Sequence, residues 1–300
     1  KHQLFPTLRT TAFESFDFRG YDLVISSSSA EAKGLITPPG TMHISYIHTP
    51  TRYYWSGYQD YLRHPGFGKL SPIVRLVMPR QVTKLRAWDF AAAQRPDYLI
   101  ANSKYIQARI SKYYRRDSKV IYPPVDLDRF SSQTKREDYY LVVSRLIPYK
   151  QIELAIQACN RMKRQLMVVG DGSEMPRLKQ LAGPNVRFLG RLSDSETARL
   201  YSGAKALIFT AEEDFGITPL EAMASGCPVI AYGRGGALES VVSGQTGVFF
   251  REPSVDSIIQ AMKKFEALEF DQAVLGRRAE VFSNQNFRQQ IKQFVEDKLS

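Results

Sequence analysis

The chain of 300 residues is long enough for about two domains, each with its own core. Its hydrophobic content is 43%, and no apolar run approaches the ~20 residues of a membrane-spanning helix. The net charge of +11 is uneven: residues 1–130 carry 19 Lys/Arg against 10 Asp/Glu, a net of +9, and the remaining 170 carry 22 against 20, a net of +2.

In chain order, 21–26 reads as a strand running into a Ser-rich turn, and 43–47 as a second strand that ends at His48. Next comes a stretch where basic residues interleave with aromatics: Arg52, Tyr53, Trp55, Arg63, Lys69, Arg75, Arg80, Lys84 and Arg86, with no acid between Asp60 and Asp89. Such a mixture fits an anionic surface. Membrane lipid is favoured over nucleic acid, because no nucleic-acid-binding motif accompanies the charge. A solvated basic face is the plain alternative. Residues 69–94 read as a long helix or helix pair interrupted at Pro79. A strand at 98–102, a helix at 103–114 and a strand at 119–122 follow, and Pro123-Pro124 break regular structure. The polar, aperiodic 131–138 is the expected linker, which makes 1–130 the first domain and 139–300 the second.

The second half alternates more cleanly. Strand 139–144, helix 151–162, strand 165–169, helix 173–182, strand 186–188, helix 193–202 and strand 205–209 succeed one another, and Ser193-x-x-Glu196 reads as a capping box. This alternation predicts an α/β fold with a parallel sheet and right-handed crossovers. The last element is an amphipathic helix at about 287–299.

Residues 212–228, EEDFGITPLEAMASGCP, carry the strongest functional signal. Glu212, Glu213 and Asp214 crowd the end of an apolar strand, where they repel unless something binds them. Phe215-Gly216-Ile217-Thr218-Pro219 reads as a loop entering a short helix, with Thr218 as N-cap, Pro219 at the first helical position and Gly226 as a left-handed end. Thr218-x-x-Glu221 is equally a capping box with no role beyond the helix. The loop sits at the carboxyl end of a strand, where open α/β sheets take ligands. A helix start also offers N–H groups to an anion. Four scattered histidines and two cysteines, Cys159 and Cys227, show no metal-ligand spacing, and the thiols read as small buried side chains.

The stretch resembles the donor-binding signature of retaining glycosyltransferases of family four, whose architecture is GT-B, two Rossmann-like domains with parallel sheets. Residues 21–28 (YDLVISSS), Ile47-His48-Thr49-Pro50, residues 121–126 (IYPPVD), Ser144-Arg145-Leu146 through Lys150, and Gly170-Asp171-Gly172 resemble family segments in the family's order. The pattern is closest to bacterial mannosyltransferases of surface-polysaccharide synthesis. By this resemblance Arg145 and Lys150 clamp the donor diphosphate, Arg bidentately and Lys as a point charge. Phe215, Gly216, Ile217 and Thr218 present backbone N–H groups to the sugar and distal phosphate. Glu213 accepts from sugar hydroxyls and Glu221 from ribose hydroxyls. Gly170 and Arg191 lie near the base, and His48 contacts the donor sugar. Catalysis is assigned to Glu213, His48, Arg145 and Lys150, with same-face attack and no Glu213 nucleophile. Taken singly, Arg145 and Lys150 read as a solvated pair, and His48 as a packed residue at a strand end.

No metal or other cofactor is expected, because Arg145 and Lys150 supply the positive charge that a metal ion supplies elsewhere. The expected partners are a nucleotide-diphosphate sugar (GDP-mannose as the best guess), a glycan or lipid-linked acceptor and an anionic membrane surface, without nucleic acid. The expected location is cytoplasmic, peripheral at the inner face of the plasma membrane. No strand with a Gly-rich loop precedes residue 21, so the first domain is expected to be incomplete. The alternative is a non-catalytic sugar-nucleotide-binding subunit that needs a partner to complete that domain.

Overall fold

The computed structural model describes residues 6–63, 68, 71–130 and 136–299, which pack as two units, Lys1–Ile121 and Tyr122–Ser300. Of the expected linker, residues 131–135 lie outside the described residues. Residues 122–130 pack with the second unit: the Val125 N–H bonds the Phe282 carbonyl at 2.8 Å, and Tyr122, Leu127 and Phe130 lie against its core.

The first unit holds helices α1 (Pro6–Glu14), α2 (Tyr58–Arg63), α3 (Ser71–Ala92) and α4 (Lys104–Tyr114), with strands β1 (Leu23–Ser28), β2 (Met42–Ile47), β3 (Tyr98–Ala101) and β4 (Lys119–Val120). The strands are parallel, in the order β1-β2-β3-β4. Interior strand β2 is buried over nearly its whole length, while edge strand β1 alternates buried and exposed residues. Helix α4 begins where Ser103 Oγ accepts the Ile106 N–H at 3.1 Å; Ile106, Ile110 and Tyr114 then fill the core against Leu99 and Ala101.

Helix α3 runs through Pro79 without the expected interruption. Proline removes one hydrogen bond to the preceding turn, but Arg75, Leu76 and Val77 of that turn are exposed, so solvent can satisfy the freed carbonyl. Behind α3 lies a buried polar network. Asp89 accepts from Lys33 Nζ (2.6 Å), Thr51 Oγ1 (2.6 Å), Trp55 Nε1 (2.8 Å) and the Tyr114 hydroxyl (2.8 Å). Four donors on one carboxylate tie α3 and α4 to the loop after β2. Removing either partner of a buried pair of this kind costs about 3–5 kcal/mol.

In the second unit the strands are β5 (Tyr139–Val143), β6 (Gln165–Val169), β7 (Val186–Gly190), β8 (Ala206–Phe209), β9 (Val229–Tyr232) and β10 (Gly247–Phe250). The helices are α5 (Ile152–Met162), α6 (Met175–Leu181), α7 (Asp194–Gly203), α8 (Thr218–Ala224), α9 (Ala237–Ser240), α10 (Val255–Glu266), α11 (Gln272–Glu280) and α12 (Asn284–Leu299). All six strands are parallel, in the order β10-β9-β8-β5-β6-β7. Side chains alternate across the sheet as a period of two requires. Tyr140, Val142 and Ile208 face Ile156, Cys159 and Met262 of α5 and α10, whereas Leu141 and Leu207 face Tyr201, Leu220 and Met223 of α7 and α8. Both cysteines are buried and free, and burial pushes each thiol up to about 12. The capping box at Ser193 forms as expected, with the Glu196 carboxylate accepting the Ser193 N–H at 2.8 Å.

The chain leaves β5 toward β6 and β7, then returns to β8 on the other side of β5. The strand order therefore reverses between β5 and β8, and a parallel sheet opens a crevice at the carboxyl ends of such a pair.

Candidate functional site

The crevice is occupied by a cleft of about 570 Å³. Its walls come from the turns after three strands: Ser144 and Arg145 after β5, Gly170, Asp171 and Gly172 after β6, and Arg191 and Leu192 after β7. Asp194, Thr197 and Tyr201 of α7, Thr218 and Glu221 of α8, and Arg129 with Phe130 complete it.

Two glycines shape this wall. Gly170 has φ +125°, and a Cβ there would stand 1.8 Å from the Ser144 carbonyl oxygen; a Cβ on Gly172 would stand 2.2 Å from that of Leu146. Only glycine allows the β5 and β6 turns to approach so closely. The turns are then laced together, Leu146 N–H to the Asp171 carbonyl and Glu174 N–H to the Leu146 carbonyl, both at 2.9 Å. Arg145 is thereby held on the rim, exposed, with its guanidinium donating to the Tyr149 hydroxyl at 3.2 Å.

The second wall carries charge. Lys150, after β5, donates to Glu213, after β8, in an ion pair whose side chains are about one-seventh exposed. The crowded acids therefore find a cation 63 residues away in sequence. Thr210 Oγ1 fixes the Lys150 carbonyl at 2.6 Å. The acid loop is pinned from below: the Gly236 N–H bonds the Glu213 carbonyl at 2.9 Å, and a Cβ on Gly236 would lie 2.2 Å from Phe215 Cα. Phe215 itself is buried, stacked on Tyr122 at 5.6 Å and packed against Phe282. Gly216 (φ +84°) turns the chain into α8, and Ile217 is 43% exposed.

The start of α8 differs from the sequence expectation. Thr218 is the first helical residue, Ile217 before it is already helical in its dihedrals, and no side chain caps the end. The capping box is therefore not formed. Instead a buried hydroxyl engages Glu221: Tyr201 donates to Glu221 Oε2 at 3.0 Å. Burial raises the Glu221 carboxyl above its ordinary range, against the lowering effect of the Tyr201 hydrogen bond and of the Arg129 charge, while Asp194 adds to the rise. Arg129 and Asp194 form an ion pair, and both line the cleft.

Arg145, Gly170, Arg191, Thr218 and Glu221 thus share one cleft; Lys150 and Glu213 are joined to each other, and Phe215, Gly216 and Ile217 form the turn into α8. His48 belongs to the first unit, where its Nε2 is 2.8 Å from Ser27 Oγ and its ring meets Tyr46 edge-on. Sequence reasoning missed Tyr201, Arg129, Asp194 and the Gly235-Gly236 pair. Only the glycine-rich run 233–236 (GRGG) offered a signal; a tyrosine on a helix face reads as core.

The basic stretch of the first unit divides in two. Trp55 and Arg86 serve the unit's own packing: Trp55 stacks on Tyr113 at 5.0 Å, and Arg86 donates to the Tyr54 carbonyl at 2.8 Å with its guanidinium 5.4 Å from the Trp55 and Tyr58 rings. Tyr53 packs against Tyr61, and Arg52 is half-buried. Arg63, Arg75, Arg80 and Lys84 are exposed, and α3 presents Leu76 (76% exposed) and Val77 (46%) beside them. Lys69 lies outside the described residues. Among the described residues no helix is long and apolar enough to cross a membrane, and no three His, Cys, Asp or Glu side chains group as a metal site.

The second unit is an α/β protein with a parallel sheet and a cleft that carries Arg145 and Glu221. Residues 125–282 match the family model for glycosyl transferases group 1, and the chain belongs to that family. It is 29% identical over 242 residues to the alpha-1,3/1,6-mannosyltransferase ALG2 of Mus musculus, the match covering 66% of this chain and 58% of that protein. It is 32% identical over 151 residues to the O-antigen chain mannosyltransferase RfbU of Salmonella typhimurium, covering 46% of this chain and 43% of RfbU. The chain therefore spans about half the length of these relatives. Among solved structures, HepE of Anabaena in complex with UDP matches with a TM-score of 0.69 at 19% identity, over 98% of this chain and 83% of that one. The fold is of the GT-B class.

Proposed function

We propose that the chain is a retaining, metal-independent glycosyltransferase that moves mannose from GDP-mannose to a lipid-linked glycan or polysaccharide precursor. The observation that carries this reading is the meeting of Arg145, Gly170, Arg191, Thr218 and Glu221 in one cleft at the strand-order reversal. In this reading Arg145 and Lys150 neutralise the departing diphosphate, and backbone N–H groups at the start of α8 assist them. Lys150 turns to the phosphates, which frees Glu213 to accept from sugar hydroxyls, while Glu221 accepts from the ribose. The acceptor oxygen bonds C1 on the face where the C1–phosphate oxygen bond breaks, and the acceptor proton passes to the leaving diphosphate.

Mannose is supported by the two mannosyltransferase relatives, and a polysaccharide precursor by the O-antigen relative. Attachment at the cytoplasmic face of the plasma membrane is supported by the exposed arginines, Lys84 and apolar residues of α3. The test is transfer of label from GDP-mannose, with UDP-sugars as competitors, to a membrane lipid extract in excess EDTA. Incorporation from GDP-mannose that persists in EDTA is the expected outcome. Loss restored by magnesium or manganese would contradict the cationic clamp. Saturable nucleotide binding with no transfer would favour the non-catalytic subunit.

A further inference from the structure

Tyr201 is wholly buried on the face of α7 that packs against α8. A phenylalanine would fill that space as well, so the hydroxyl needs its own account. It has one proton to donate and lone pairs to accept with. That proton goes to Glu221 Oε2, 3.0 Å away. Tyr201 and Glu221 both line the cleft.

A glutamate in the first turn of a helix ordinarily has somewhere else to go: back to its own free backbone N–H groups, as Glu196 does on α7. On α8 the carboxylate is withheld from that use. With Oε2 tethered, the other oxygen and the remaining lone pairs stay available to the cleft. The side-chain ordering that recognition of a vicinal diol demands is then already met before a ligand arrives.

We propose that Tyr201 is a positioning residue that gives the cleft its preference for ribonucleotides over 2′-deoxyribonucleotides by holding Glu221 in place. The inference rests on the reading of Glu221 as the acceptor for the ribose hydroxyls. It extends that reading to Tyr201, whose hydroxyl engages Glu221. A tyrosine that merely packs would change affinity for both sugars alike; one that aims Glu221 changes their ratio.

The experiment is calorimetric titration of GDP, UDP and their 2′-deoxy counterparts into the full chain and into Tyr201→Phe, Tyr201→Leu and Glu221→Ala. Wild type should prefer the ribonucleotide at least about tenfold, the worth of a hydrogen bond to a charged group. Tyr201→Phe should cut that preference to about threefold or less while keeping its affinity for the deoxynucleotide. An unchanged ratio in Tyr201→Phe, whether affinity is retained or lost for both sugars in parallel, overturns the proposal. Should Tyr201→Phe not fold, an unchanged ratio in Tyr201→Leu, which also lacks the hydroxyl, overturns it instead. Glu221→Ala separates the two levels. If it keeps the wild-type preference, or wild type shows none, the ribose reading fails; if it loses the preference and Tyr201→Phe does not, only the role of Tyr201 fails.

Discussion

Lys150 and Glu213 satisfy each other's charge, yet each has a separate task in the proposed reaction. Their ion pair is therefore a competitor of the donor: the diphosphate must take Lys150 before Glu213 can serve the sugar. Glu213→Gln removes the competing anion. Binding of a nucleoside diphosphate should stay level or strengthen by a few fold, on the order of 1 kcal/mol. Sugar transfer should fall by about tenfold to a hundredfold, as one buried acceptor to a sugar hydroxyl is lost. A parallel loss of binding and transfer in the two assays would contradict the separation of roles. Neither this pairing nor the Tyr201 contact to Glu221 was legible in the sequence. Partners 63 and 20 residues apart are joined only by the order of strands, and a side chain's type does not say which strand end it will face.

At the scale of elements more was legible. The buried strands of the second unit appear in the sequence as short apolar runs because both faces of a parallel sheet are covered. Helices α4 and α7 begin where Ser103 and Ser193 place them, since a serine cap is a local signal. The start of α8 was misread because tertiary contacts decide it. Phe215 is anchored among aromatic rings and Gly216 turns left-handed, so the helix starts before Thr218 can cap it. Helix α3 was also legible as basic, but not which of its charges face outward. Arg80 and Lys84 are exposed, and Arg86 is engaged with Tyr54, Trp55 and Tyr58. If α3 docks on lipid, Arg80→Glu with Lys84→Glu should reduce sedimentation with anionic vesicles, each reversal removing about 1 kcal/mol or more of attraction at moderate salt. Arg86→Ala should act mainly on stability. Equal binding of wild type and the double variant, or equal binding to neutral vesicles, would remove the membrane from the account.

At the scale of the whole molecule, acid is expected to act on the first unit through a buried histidine. His43 on β2 is fully buried, and burial pushes its imidazole down to about 4, against the opposing pull of Asp97. Its neutral form is favoured by the fold, so its contribution is present above the ordinary histidine range near 6.5 and is lost as pH falls toward about 4. The first unit should lose up to about 1.4 kcal/mol per pH unit across that window from this group alone. Both tryptophans, Trp55 and Trp88, lie in the first unit, so tryptophan fluorescence during urea unfolding reports it selectively. His43→Gln should flatten the pH dependence of the midpoint, and an equal slope in wild type and variant would contradict the assignment.

The central claim is that the cleft between the turns of β5, β6 and β7 and helix α8 binds a nucleoside diphosphate. Calorimetric titration of GDP and UDP into wild type, Arg145→Ala and Glu221→Ala tests it most directly. The account predicts saturable binding to wild type without divalent metal, weakened by roughly 1–3 kcal/mol in each variant, one through the phosphates and the other through the ribose. Wild-type affinity in both variants would contradict it.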